Sequence, residues 1–288
     1  MLAYKVVVIK GAKAPEWKLK MEKIIVVRGG GDIATGTIHK LYQSGFPVVV
    51  LEIENPSTIR RKVAFSEAMY EREATVEGVT CKRADHFDQI NEILAEGKIP
   101  IIKDENCDIL NYIKPLALVD GILAKKNLGT KNTMAPITIA LGPGFEAGVD
   151  VDAVVETQRG HDLGRIILEG FATKNTGIPG IIGGYGIERV IHSPATGIIK
   201  NISHISDTVT KGQAIAYIGD TKVEASIDGI LRGIIKDGYP VVKGLKIADI
   251  DPRIEEKKNC FTISDKARCI GGSVLESILY LRRKKNLS

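Results

Sequence analysis

One junction restricts the fold more than any other stretch of the chain. The apolar run Ile24-Ile25-Val26-Val27 feeds directly into Arg28-Gly29-Gly30-Gly31. A short run rich in β-branched residues reads as a buried parallel strand. Gly29-x-Gly31-x-x-Ala34 then opens a predicted helix to about Ser44, a second β-rich run Val48–Leu51 follows, and Glu52 falls 21 residues after Gly31. This is a complete strand–helix–strand context. Glycines there allow a tight turn and close backbone approach to a phosphate, the helix N-terminus offers oriented N–H donors, and an acidic residue accepts from ribose hydroxyls. Gly29, Gly30, Gly31, Asp32 and Glu52 are therefore candidate nucleotide-binding residues. A crossover with a tight glycine turn and no ligand writes the same pattern. Asp32 sets a carboxylate where a pyrophosphate would arrive, or serves as a helix cap.

Past Pro56 the alternation continues. Helices are expected near Ala64–Glu71 and Phe87–Glu96, and strands near Val79–Lys82, Ile99–Lys103, Leu116–Asp120 and Ile137–Leu141. The last strand runs into Gly142-Pro143-Gly144, which adds Gly142 and Gly144 to the candidate binding turns at the strand ends. The fold class expected is α/β, a Rossmann-like, mostly parallel sheet.

From about Ser193 short β runs punctuated by glycine repeat at a period of 32 residues: Gly197-Ile198-Ile199 recurs as Gly229-Ile230-Leu231, and Val209-Thr210-Lys211-Gly212 as Val241-Val242-Lys243-Gly244. Two such halves resemble the barrel-sandwich hybrid of biotinyl and lipoyl carriers. Lys222 is the candidate carrier lysine, but it lies only seven residues before Gly229 and no methionines flank it, so a docking or structural role is preferred. The chain's 288 residues fit two domains of about 150. The boundaries expected are an N-terminal extension 1–22, an α/β domain 23–190, a small β domain 191–253, and a segment 254–288 whose helix Ser273–Leu281 packs back on the sheet.

Charge and cysteine usage narrow the function classes. The formal charge of +5 sits at the two ends, with five lysines in residues 1–22 and Arg282-Arg283-Lys284-Lys285, which leaves a mildly acidic body. With 5% aromatic residues there is no basic stripe with stacking platforms, so no nucleic-acid partner is expected. No apolar run approaches the roughly 18 residues of a membrane span, and a cytoplasmic protein without a membrane partner is expected. Cys81, Cys107, Cys260 and Cys269 have no zinc-type spacing, so no metal is expected. Cys107 and Cys260 are candidates to carry selenium as thiolates, with no neighbour to lower their pKa.

The densest polar chemistry is Glu156-Thr157-Gln158-Arg159-Gly160-His161-Asp162-Leu163-Gly164-Arg165. Arg159 and Arg165 suit bidentate anion binding, and His161, with Asp162 beside it, suits proton transfer near neutral pH. His161, Arg159, Asp162 and Arg165 form the candidate catalytic set. A solvated hairpin laced with ion pairs has the same composition. Asn175–Gly180 and Gly183–Gly186 next to it have the character of a ligand loop or a connector.

Taken together, Arg28–Gly36, Leu141–Gly148, Glu156–Arg165, Asn175–Gly180, Ile247–Arg253 and Ile263–Arg268 closely resemble the YqeB family, accessory proteins of selenium-dependent molybdenum hydroxylase systems. The glycine-loop half is distantly similar to xanthine dehydrogenase accessory factors. The resemblance spans about residues 22–280. It implies a maturation role: helping supply or insert the selenium-modified molybdenum cofactor, with a molybdenum hydroxylase as partner; the ligand expected at the glycine loop is a nucleotide, NAD(P) among them, or molybdopterin dinucleotide. It assigns no catalytic residues and leaves open whether the chain is an enzyme. The alternatives are an NAD(P)-dependent oxidoreductase and a non-catalytic scaffold for the hydroxylase.

Overall fold

The computed structural model describes residues 23–287 except 176, 178 and 179. The expected N-terminal extension, 1–22, lies outside the described residues, as do residues 176, 178 and 179 of the Asn175–Gly180 segment.

The apolar runs form one large sheet. Its strands are β1 (Ile25–Arg28), β2 (Val48–Glu52), β3 (Glu73–Val76), β4 (Val79–Ala84), β5 (Ile99–Lys103), β6 (Ala117–Asp120), β7 (Ile137–Leu141), β9 (Ala153–Val155) and β10 (Ile166–Ile167), in the order β10-β9-β7-β6-β1-β2-β5-β4-β3. A two-residue strand β8 (Glu146–Ala147) pairs instead with β11 (Gly170–Phe171). The seven strands from β9 to β4 run parallel, and β10 and β3 are antiparallel edges. Alternate side chains of the central runs enter different cores. Ile25, Val27, Val48 and Val50 pack under α1 (Asp32–Gln43) and the C-terminal helix α4 (Asp265–Lys284), while Ile24, Val26, Val49 and Leu51 pack under α3 (Gln89–Ala95). Both faces are buried, so continuous β-branched runs fit.

Helix α4 starts at a capped end: the Ser264 hydroxyl accepts from Ala267 N at 3.2 Å. It buries Ala267, Ile270, Val274, Ile278 and Leu281 in the same core as α1. Contact between the two helices is backbone-close. A Cβ on Gly36 would sit 2.5 Å from the Ala267 carbonyl oxygen, and one on Gly271 2.6 Å from that of Gly36.

After Arg189 the chain builds two four-stranded antiparallel sheets. Their strands are β12 (Val190–His192), β13 (Gly197–Asn201), β14 (Thr208–Val209), β15 (Ala214–Ile218), β16 (Thr221–Glu224), β17 (Gly229–Ile234), β18 (Pro240–Val241) and β19 (Lys246–Asp251). The orders are β12-β19-β17-β14 and β16-β15-β13-β18. Strands β13, β14 and β15 begin at 197, 208 and 214, and β17, β18 and β19 at 229, 240 and 246, which is the repeat read from the sequence. Each sheet takes strands from both copies, and Ile199, Ile215, Ile230, Leu231, Ile247 and Ile250 fill the core between them.

These observations correct the expected class of a Rossmann-like sheet followed by a biotinyl- or lipoyl-carrier-like barrel. In the large sheet β5 inserts between β2 and the β4–β3 hairpin; β5-β2-β1-β6-β7-β9 run in the order 3-2-1-4-5-6, and the hairpin at the edge is an addition to the dinucleotide-fold pattern. The crossovers after β5, β6 and β7 contain no α-helix, so the face under α3 is completed by loop residues such as Leu110, Ile113 and Met134 rather than by the layer of crossover helices of a doubly wound sheet. The region expected as a helix over 64–71 is one short 3-10 turn, Phe65–Glu67, and a single helical turn, α2 (Ala68–Glu71). The second half is two open sheets with β12, β14, β16 and β18 as edges, not a closed barrel. Lys222 sits within the β15–β16 ladder opposite Tyr217, paired with Glu224 at 2.8 Å and donating to Gly212 O at 3.1 Å, rather than at a free hairpin tip.

The two cores meet along the strap 56–61. Gly233, inside an irregular stretch of β17, lets the backbone of Ile59 approach: a Cβ there would lie 2.9 Å from Ile59 O. Arg61 Nε then donates to Ile234 O at 2.9 Å. Among the described residues no helix is long and apolar enough to cross a membrane.

Candidate functional site

Two depressions flank the strap. The first, of about 380 Å³, lies at the ends of β1, β2, β5 and β6 and is lined by Gly29, Gly31, Glu52, Thr58, Asp104 and Glu105, with Arg28 at its edge. The glycine loop is closed by its own acid: Gly30 N donates to one Glu52 carboxylate oxygen and Ile53 N to the other, both at 2.8 Å. Burial raises the Glu52 pKa above the usual carboxylate range, against those two hydrogen bonds. Gly29 has φ +89°, and a Cβ on Gly30 would lie 2.9 Å from Ser66 N, so both glycines are demanded by the turn itself. The Arg28 guanidinium is engaged by Asp120 at 3.3 Å, Thr130 Oγ1 at 2.5 Å, Glu105 O at 3.0 Å and Leu128 O at 3.3 Å. A pyrophosphate here would face three carboxylates and one guanidinium that is already engaged. The residues present do not fit NAD(P) on this loop.

Asp32 does not line that depression; it forms an ion pair with Arg60 at 3.5 Å. Gly142 and Gly144 stand apart too. Their Cβ positions would meet Thr157 Oγ1 at 2.5 Å and the Lys126 backbone at 2.6 Å, so they serve close packing of neighbouring loops.

The second depression is a cleft of about 650 Å³ between the sheet half and the β half, and it gathers five guanidinium groups: Arg60, Arg159, Arg232, Arg253 and Arg268. Each comes from a different element. Arg60 sits on the strap, Arg232 on β17, Arg253 just after β19, Arg159 in the loop after β9, and Arg268 in the first turns of α4. Arg60 is 6% exposed. It donates to Asn259 O at 3.0 Å and Thr262 O at 3.3 Å, while its Nε has no hydrogen-bond partner among the described residues. Burial pulls its pKa down.

The others are each held by a carboxylate. Arg159 is bidentate to Asp265 at 2.8 and 2.9 Å, Arg253 to Asp251 at 2.9 and 2.8 Å, and Arg268 pairs with Glu77 at 2.5 Å. Asp249, 2% exposed, serves two arginines, accepting from Arg232 Nε at 2.6 Å and from buried Arg189 Nη2 at 3.0 Å. Lys266 forms no ion pair among the described residues, and burial lowers its pKa. A guanidinium has five N–H donors and a bidentate carboxylate takes two, so the cleft keeps both donors and an excess of positive charge.

Of the expected catalytic set only Arg159 lines this cleft. His161 is exposed and outside it, and Asp162 and Arg165 pair with each other at 3.2 Å on the surface. Sequence reasoning misses Arg60, Arg232 and Arg253, while Asp265, Lys266 and Arg268 read equally as added charge for a shared site or as a solvated turn. One signal marks two of the missed arginines: the second repeat copy places Arg232, Asp249, Asp251 and Arg253 where the first has Lys200, Tyr217, Gly219 and Thr221. Cys107 and Cys260 are buried, which pushes the Cys107 thiol up to about 11 and raises that of Cys260, so both rest as thiols. Among the described residues no cluster of three or more potential metal ligands occurs.

The Arg159 pair holds the Asp265 pKa down at about 2, below the ordinary aspartate value of 3.8. A depressed acid contributes stability above its unfolded value that is lost as pH falls toward the folded one. Acid unfolding of Arg159→Gln should therefore show a shallower limb between about pH 3.8 and pH 2 than the parent, and identical limbs would refute the pair. Both partners are largely exposed, so the effect is small.

Fold and cleft together define a class: an α/β sheet joined to a two-sheet β half, with an arginine-lined anion cleft at the junction. Over 259 residues the chain is 49% identical to the protein named "Uncharacterized protein YqeB" of Escherichia coli (strain K12). The chain is thus a YqeB homologue across 90% of its length, and it spans about half of that relative, 48%. No protein-family model matches. Among solved structures, the product-bound ectoine utilization protein EutE (DoeB) from Ruegeria pomeroyi aligns over 80% of this chain and 85% of its own at 13% identity and TM-score 0.25. The succinylglutamate desuccinylase/aspartoacylase from Rhodobacter sphaeroides aligns over the same shares at 14% identity and TM-score 0.26. Likeness at that level carries no argument about chemistry.

Proposed function

We propose that this protein binds a phosphate-bearing small molecule in the arginine cleft and acts as a cofactor-handling accessory protein. Its cargo is a molybdopterin dinucleotide, supplied to a molybdenum hydroxylase partner in the selenium-dependent system. One observation carries the binding step: five guanidinium groups from five separate elements converge on one cleft, and the most buried of them has an Nε unpartnered among the described residues. Keeping cations together and dehydrated is costly unless an anion compensates them. The resemblance to the YqeB family supplies the pathway. In this reading the glycine loop shapes the start of α1, and Asp32 orients Arg60 through their ion pair.

The test is thermal unfolding of the parent and Arg60→Gln with inorganic pyrophosphate, ATP, GTP, CTP, NAD(P) and isolated molybdopterin dinucleotide. A ligand at 100 times its Kd stabilises by about 2.7 kcal/mol. The molybdopterin species should raise Tm in the parent and not in the variant. A shift given only by NAD(P), kept in Arg60→Gln and lost in Gly31→Val, would favour the redox alternative. With binding established, transfer follows from activity gained by apo-hydroxylase when loaded protein is added.

A further inference from the structure

We infer, building on the anion-binding reading above, that the cleft takes a diphosphate ester of a planar heterocycle and discriminates it from a free inorganic anion. The guanidinium floor receives the diphosphate, and a tight hairpin beside it receives the ring. The floor is Arg60, Arg232 and Arg253, lining one space with Asp251 already matched to Arg253 and Asp249 shared by Arg189 and Arg232. With Asp32 on Arg60, the four guanidinium groups of Arg60, Arg189, Arg232 and Arg253 face three carboxylates, and Lys266 at the start of α4, outside the lining but near Asp32, adds one more positive charge. A dianion balances that excess of two.

The hairpin is the part that inorganic phosphate cannot use. Ile182 N donates to Tyr185 O at 2.8 Å and Tyr185 N to Ile182 O at 3.0 Å. Gly183 and Gly184 between them have φ +56° and +86°. Positive φ at both central positions defines a type I′ turn, which needs glycine or a similarly permissive residue. The turn is seated rather than loose: a Cβ on Gly183 would lie 2.8 Å from Pro252 Cγ, and buried Arg189 donates to Gly180 O at 3.2 Å. This geometry holds Ile181, 77% exposed, and Ile182 in the lining of the same cleft as the arginines. Exposed aliphatic carbon among guanidinium groups gains nothing from a small hydrated anion. A flat ring attached to the diphosphate would cover it, removing apolar surface from water, and would stack on a guanidinium plane.

The experiment is calorimetric titration of the full chain with inorganic pyrophosphate, ADP and GDP, repeated on Ile181→Ser, Arg159→Gln and Arg268→Gln. Nucleoside diphosphates should bind about tenfold more tightly than pyrophosphate. Ile181→Ser, at an exposed position that leaves the fold intact, should bring that ratio close to one and leave pyrophosphate affinity unchanged. Arg159→Gln and Arg268→Gln should weaken all three ligands by a common factor of several-fold. Equal affinity for pyrophosphate and the nucleotides, or a preference that survives Ile181→Ser, would overturn the two-part site and leave a cleft that reads charge alone. Failure of every anion to bind would overturn this inference and the anion-binding reading together.

Discussion

Gly36→Ala is expected to destabilise the protein by about 2–4 kcal/mol, although alanine is the better helix former. In isolation the change should gain up to about 1 kcal/mol of helix propensity. Here the added methyl would lie 2.5 Å from the Ala267 carbonyl oxygen and 2.7 Å from its carbon, both backbone atoms of α4. No rotamer relieves a backbone clash, so α4 must move off α1, and it carries Ala267, Ile270, Val274 and Ile278 of the main core with it. Overpacking typically costs 1–3 kcal/mol and more where the neighbour cannot yield. Gly271→Ala meets Gly36 O at 2.6 Å and should behave alike. Gly272→Ala is the control: nothing lies within 4 Å of its Cβ position, so propensity alone should act, stabilising by about 0.5–1 kcal/mol. Urea midpoints at constant slope measure all three. If Gly36→Ala and Gly272→Ala move together, the close helix contact is absent.

That pair of helices shows what was legible in the chain and what was not. The strand β1, the start of α1 and the strand β2 follow from local pattern, because a β-branched run, a glycine turn and an acid at the next strand end each act within a few residues. The apolar period of helix α4 begins at Ser273, yet the helix starts at Asp265. Ser264 followed by Asp265 is a start signal, and Gly271-Gly272 hid it by resembling a break. Gly271 is there because Gly36 O comes so near, a reason that only the tertiary contact supplies. The crossovers without helices and the insertion of β5 depend on pairing between distant strands, which periodicity does not encode. The cleft escapes local pattern for the same cause. The Glu156–Arg165 stretch is dense in charge along the chain, but Asp162 and Arg165 satisfy each other in solvent, and His161 is exposed outside the cleft lining. The cations that converge are sequence-distant, at 60, 159, 232, 253 and 268, and each looks ordinary in its own neighbourhood. Only the contrast between the repeat copies, Tyr217 against Asp249 and Gly219 against Asp251, betrays that one copy carries added chemistry.

Asp249 is where stability and the cleft are joined, and Asp249→Ala should cost about 3–5 kcal/mol. The carboxylate is 2% exposed and accepts from two arginines, of which Arg189 is itself 3% exposed. Removing it leaves a buried guanidinium with no countercharge, and the uncompensated charge, more than the lost attraction, sets the penalty. Asp249→Leu combined with Arg189→Met removes both buried partners and should recover most of that loss, since apolar replacement of a buried pair is often close to neutral. A double-mutant cycle isolates the coupling. The double variant should nevertheless bind pyrophosphate several-fold more weakly, because Arg232 has lost the acceptor that holds its Nε at 2.6 Å and no longer presents its other donors to the cleft. Recovery of stability without recovery of binding would separate the two roles of Asp249: one neutralises Arg189 within the fold, the other aims Arg232 at the ligand. Full recovery of both would mean that Arg232 needs no aiming and that the floor rests on Arg60 and Arg253. A double variant as unstable as Asp249→Ala would show that the surrounding β half cannot accept apolar side chains there, and that the ion pair is part of how β17 and β19 keep their register.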